Sequence, residues 1–202
     1  MTSSNTGCTQ AFDPERSYRK ITVRDLSHLR DLALGEIKSF FALRRDLEGR
    51  YRHHLISIAL CQGAALHFVD GHNGVKDFDI YFFFGCGSNP RLYNRKTISR
   101  ECGLRKFGVH PKDGDSGYKT RRVDYLRRCV GTGSGRSAQK AIQDYLAAGN
   151  TKTARCLSEK AVVGLWPKSL FACVIWPLTR QYAPPHGLPH YGPGRARTQH
   201  RP

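Results

Sequence analysis

From Val23 to about Arg44 the apolar residues Leu26, Leu29, Leu32, Ala33, Ile37, Phe40 and Phe41 recur at helical spacing. This predicts an amphipathic helix with a basic outer side, started by Thr22 and an imperfect capping box to Asp25. Leu55 to Cys61 (LISIALC) is an apolar run of strand length. Gly63 and the small-residue stretch AALHFVD follow, which suit a short helix, and DGHNG at 70–74 is a dense turn signal. Asp77 to Phe84 (DFDIYFFF), rich in aromatics, is the most strand-like segment of the chain.

Between Gly85 and Gly117 the pattern dissolves into loops, and Thr120 to Arg128 gives a second strand candidate. Ser137 can cap a helix whose apolar face is Ala138, Ala141, Ile142, Tyr145 and Leu146, with Gly149 as its stop. A further helix is expected from about Lys152 to Val163, its stripe continuing to Trp166 until Pro167 ends it. Ser169 to Trp176 reads as a final strand or buried coil. The expected organisation is a flexible arm at 1–20, one domain at 21–176 and a disordered Pro, Gly, His and Arg rich tail at 177–202. The expected class is α/β (α+β): a small mixed sheet with helices on one face and a C-terminal helical portion.

Charge narrows the partners. Lys and Arg number 33 against 16 Asp and Glu, a formal net charge of +17, which favours polyanions such as nucleic acid or nucleotide phosphates. No apolar run approaches the roughly 20 residues of a membrane helix, so no membrane partner is expected. The polar start lacks the apolar stretch of a secretory signal. Seven cysteines without a CxxC pair support neither a disulfide framework nor structural zinc. A reduced, cytoplasmic protein is the expectation.

The chemistry concentrates on Asp77 and Asp79. In a strand their side chains project from one face, about 6.6 Å apart along the chain, while Phe78, Ile80 and Phe82 take the other. Two like charges on a hydrophobic strand repel and are costly to bury, so a cation between them is expected. A pair of divalent ions is one solution that such oxygen ligands can share. An exposed edge strand with two solvated aspartates is the other, and these two residues alone leave both open.

The wider context resembles the polymerase-β-like nucleotidyltransferase superfamily. A strand, then Gln62-Gly63-Ala64, a short helix, a turn and Asp77-Phe78-Asp79-Ile80 is similar to the family signature of a hydrophobic residue, Gly, Gly or Ser, a gap, and Asp-hydrophobic-Asp/Glu-hydrophobic. Asp124, in Val123-Asp124-Tyr125-Leu126, matches the third carboxylate on a later strand. The resemblance spans roughly 55–126. It implies that Asp77 and Asp79 ligate two Mg2+ (or Mn2+) ions and that Asp124 completes one shell and helps deprotonate the attacking hydroxyl. It further implies that Gln62, Gly63 and Ala64 meet the phosphates of an NTP at a helix start. Ala64 stands where the family has Ser or Gly, which would remove one phosphate contact.

From Arg91 to Arg128 there are twelve Lys or Arg against four acids. Arg105, Lys106, Lys119, Arg121 and Arg122 are the candidate phosphate or nucleic-acid contacts, with interleaved tyrosines able to stack on bases. GTGSG at 131–135 lacks the Walker ending and reads as a linker. Asp113-Gly-Asp115 reads as a turn, Cys102 with His110 is too small a set for zinc, and Lys160 reads as part of a solvated helix face in preference to a triphosphate contact. The expectation is a metal-dependent nucleotidyltransferase moving an NMP from an NTP to an acceptor hydroxyl, with RNA or tRNA as the acceptor. The alternative is a catalytically inactive relative that binds nucleic acid or a partner.

Overall fold

The computed structural model describes residues 18–85, 121–131 and 136–177. Within them the order is α1 (Val23–Leu43), α2 (Arg45–Tyr51), β1 (Leu55–Cys61), α3 (Gln62–Asp70), β2 (Phe78–Gly85), β3 (Val123–Val130), α4 (Ala138–Ala148), α5 (Lys152–Ser158), β4 (Ala161–Trp166) and β5 (Val174–Trp176). The five strands form one mixed sheet in the order β3-β2-β1-β4-β5. Only β2 and β3 run parallel; β1 is antiparallel to both β2 and β4, and β4 to β5. The class is α+β.

Strand alternation divides the core in two. Phe78, Ile80, Phe82 and Phe84 of β2 face a cluster with Leu26, Leu29, Ala33, Phe40 and Phe41 of α1 and Ala64 and Ala65 of α3. Tyr81 and Phe83 face the other way, onto Ala141, Ile142 and Leu146 of α4 and Leu157 of α5. Helices therefore cover both faces, where one covered face was expected. The cause is that β1, β2 and β4 are apolar on both sides, so neither side can be left to water.

The start of α1 is secured more fully than its sequence implied. Thr22 accepts from the Asp25 backbone N–H, Asp25 accepts from the Thr22 N–H at 2.8 Å, and Arg19 grips the same carboxylate at 2.7 and 2.9 Å. Burial works against the Asp25 carboxylate, yet Arg19 and Thr22 hold it below the usual carboxylate range. The Tyr18 ring packs edge-on against His67 and Phe78. Tyr18 and Arg19, expected in the flexible arm, thus belong to the folded unit.

One element differs in kind from expectation. The helix starting at Lys152 stops at Ser158, and Ala161–Trp166 is a strand paired with β1 through Ala59–Gly164, Leu60–Val163 and Cys61–Val162. Its residues are apolar on both faces, so periodicity does not separate helix from strand. The adjacent β-branched Val162 and Val163 favour the strand, and Gly164 lets it pack. A Cβ on Gly164 would lie 2.1 Å from the Leu170 carbonyl oxygen. The Gly164 backbone bonds instead to Cys173 O and to the Ala172 N–H, both at 2.9 Å.

Candidate functional site

Two ties align the starts of β2 and β3. The Phe78 N–H donates to the Arg122 carbonyl at 2.9 Å, and the Arg121 Nε donates to the Val75 carbonyl at 2.9 Å. With that alignment the parallel register sets Asp79 directly beside Asp124. On the other flank Asp79 is paired with Cys61, the last residue of β1. Asp77 stands one residue before β2. All three carboxylates are half-buried.

Their charges act on one another. Burial, then the charges of Asp77 and Asp124, push the Asp79 carboxyl up to about 7, while Lys160 pulls the other way. Burial also pushes the neighbouring Cys61 thiol well up, with Asp79 adding to it, so this cysteine stays a neutral wall of the site. Tyr81, next on the same face, is raised by burial in the same way. The Arg128 guanidinium lies 5.6 Å from the Tyr81 ring, and its Nε donates to Thr153 Oγ1 at 3.1 Å. The carboxylate face is therefore acidic at its tip and cationic deeper in.

Lys160, read from the sequence as part of a solvated helix face in preference to a triphosphate contact, is not on a helix. It stands instead in the turn between α5 and β4, exposed, and the bridge between Gln62 and Ala161 brings that turn to the end of β1. The signal that could have found it is the Val162-Val163-Gly164 run, which ends the helix early.

The β1–α3 turn is built differently from the expected glycine turn. Gln62 takes the left-handed conformation, φ 60°, although it is not glycine. Such a backbone costs about 1 kcal/mol or more in a non-glycine residue. Gly63 serves packing: a Cβ there would lie 3.3 Å from Asn73 Nδ2, which donates to the Gly63 and Gly74 carbonyls at 3.0 Å each. Ala64 is buried in the core cluster with α1. A serine hydroxyl at 64 would point into that core, so the phosphate contact expected there is not a side-chain contact. No side chain caps α3, which starts directly after Cys61, the residue paired with Asp79.

No family model matches the chain, and neither does any curated protein or any solved structure.

The basic candidates separate. Arg105, Lys106 and Lys119 lie outside the described residues, as do 132–135 of the GTGSG linker, Cys102, His110 and the tail from 178. Arg122 is exposed beside β3. Arg121 is buried, with its guanidinium 4.8 Å from the Tyr18 ring. It ties the segment before β2 to β3 and, at 5% exposed, offers little surface to a phosphate. Arg127, counted within the basic stretch, is wholly buried over Phe40 and faces Glu36 at 3.5 Å.

The donor set bears on a metal in two ways. Three carboxylates offer the hard oxygen ligands that Mg2+ takes, and a divalent charge would relieve the repulsion that raises Asp79. Among the described residues, however, no group of three or more His, Cys, Asp or Glu is gathered closely enough to hold an ion. The chemistry fits and the cage is not preformed.

Proposed function

We propose that the chain is a metal-dependent nucleotidyltransferase that moves an NMP from an NTP to an acceptor hydroxyl on RNA. The observation that carries this reading is the register of β2 and β3, which sets Asp79 beside Asp124 with Asp77 one residue before the strand. Three carboxylates on one face at the end of a sheet, next to an uncapped helix start, suit a triphosphate with its cations. Asp77, Asp79 and Asp124 would hold Mg2+ or Mn2+, drawing together as the ion binds. Such ions neutralise charge on the attacking and leaving oxygens of an in-line displacement. Asp124, at the edge of this group, would orient the acceptor hydroxyl and take its proton. Lys160 would offset the triphosphate's charge from the β4 side. Exposed Arg122 and the other Lys and Arg of the 91–128 stretch, apart from the buried Arg121 and Arg127, favour RNA over a neutral acceptor.

One observation favours a second reading, a catalytically inactive protein that binds nucleic acid or a partner: the absence of a gathered ligand set among the described residues. The two separate in one assay. The full chain is incubated with each labelled NTP, Mg2+ and total RNA, and transferred label is sought. Transfer that disappears in Asp124→Asn, with RNA affinity kept, is the expected result. RNA binding without transfer from any NTP would favour the inactive relative.

A further inference from the structure

On the opposite face of the sheet, and at its opposite end, a cleft of about 560 Å³ opens between α1, α2, the start of β1 and the end of β4. Leu34, Ile37, Phe41, Leu55 and Trp166 form its apolar walls. Its rim is charged: Glu48 accepts from Arg45 Nη1 at 2.7 Å and from Arg52 Nη1 at 2.9 Å, and exposed Lys38 stands on the same rim. One carboxylate therefore serves two guanidinium groups, and three cations against one acid leave the rim at +2.

That combination is selective. Small-molecule sites measure roughly 300–1,000 Å³, are mostly apolar, and carry a few polar groups that orient the ligand. The volume falls in that range, and α1, α2, β1 and β4 all contribute to its lining. An apolar body gains from leaving water against the walls. A neutral body would leave the excess rim charge without a counter-charge, whereas an anion supplies one. Arginine forks match carboxylate and phosphate oxygens alike.

We propose that this cleft binds a small amphipathic anion: an alkyl or aryl body against Leu34, Phe41 and Trp166, with a carboxylate, sulfonate or phosphate headgroup at Lys38, Arg45 and Arg52. The site is separate from the carboxylates and stands whether or not the chain transfers nucleotides.

The test titrates the full chain with anilinonaphthalene sulfonate, an aryl anion whose emission rises in apolar surroundings. Saturable binding of one probe per chain is expected, displaced by octanoate and by octyl phosphate but not by octanol. Lys38→Glu reverses a rim charge and should weaken binding at least about tenfold. Ala42→Trp should abolish it by filling the cleft. Both substitutions are at exposed helix positions, so circular dichroism should show an unchanged fold. Equal affinity for the uncharged phenyl-naphthylamine, or parental affinity in both variants, would overturn the proposal. So would self-association in sedimentation velocity that Ala42→Trp abolishes, because the cleft would then be an interface between copies.

Discussion

Asp79 is the residue at which the site's electrostatics meet the stability of the fold. Its carboxyl is raised to about 7 by burial and by Asp77 and Asp124, whereas in an unfolded chain it titrates near 4. Between roughly pH 4 and 7 the folded state keeps a proton that the unfolded state has released. Stability therefore falls as pH rises through that window, and above it the full cost of the buried charge remains. In metal-free buffer Asp79→Asn should raise the Tm at pH 8 and leave it nearly unchanged at pH 4; equal shifts at both would contradict the repulsion. A second buried charge has no link to the site. The Arg127 guanidinium, held down by burial and supported by Glu36, has no hydrogen-bond partner among the described residues for any of its three nitrogens. At 3.5 Å its contact with Glu36 is an ion pair rather than a hydrogen bond. Removing one partner of such a pair commonly costs about 3–5 kcal/mol, whereas replacing both by apolar groups is often neutral or stabilising. Glu36→Gln should therefore lower stability in urea unfolding by roughly 3 kcal/mol. Glu36→Leu combined with Arg127→Met should recover most of it, and a double variant as weak as the single would refute this account.

Among the elements, β4 carries most of what composition hid. Gly164→Ala would place a methyl carbon 2.1 Å from the Leu170 carbonyl oxygen, so backbone must move. Overpacking of this kind costs about 1–3 kcal/mol or more, and urea unfolding of the variant should show a loss at the upper end. A change below 1 kcal/mol would mean that the loop after β4 yields easily. The elements that could be read in advance each had one unambiguous signal. α1 showed a long amphipathic stripe behind a Thr22–Asp25 cap, and α4 lay between Ser137 and Gly149, which takes the left-handed conformation as its stop. β1 and β2 were short apolar runs bounded by turns. β4 had no such signal, because its core contacts lie on both sides and it follows a genuine helix after only Glu159 and Lys160. That single misassignment also put Lys160 on a helix instead of in the turn before β4. In the candidate site, the grouping of Asp124 with Asp77 and Asp79 was legible only through the resemblance, since Asp77 and Asp79 alone left a solvated edge strand open. The inward turn of Arg121 was not, because it depends on Tyr18, more than a hundred residues earlier in the chain. Nor was the left-handed Gln62, since nothing in its side chain calls for that backbone.

At the scale of the whole molecule, net charge and burial pull the basic residues into two populations. A formal charge of +17 attracts any polyanion, but only cations that reach solvent release counterions when a phosphate arrives. Arg121 and Arg122 are neighbours in sequence and opposites in this respect: one is 5% exposed and tied to Val75, the other is open to solvent beside Asp124. Counting charges along the chain treats them alike, whereas the fold does not. For single-stranded RNA, log affinity falls against log salt with a slope of about −0.7 per phosphate contacted. If the chain binds RNA as proposed, Arg122→Ala should make that slope shallower by up to about 0.7 and weaken binding at low salt, with an unchanged Tm. Arg121→Ala should do the reverse. It removes a buried charge-assisted hydrogen bond worth about 1.5–3 kcal/mol and loosens the alignment of β2 with β3, so the Tm should fall while the salt slope stays at the parental value. Filter-binding titrations over a salt series, paired with melts of the same preparations, measure both. If Arg121→Ala flattens the slope as much as Arg122→Ala, then Arg121 reaches the RNA and its place beneath Tyr18 does not persist when RNA binds.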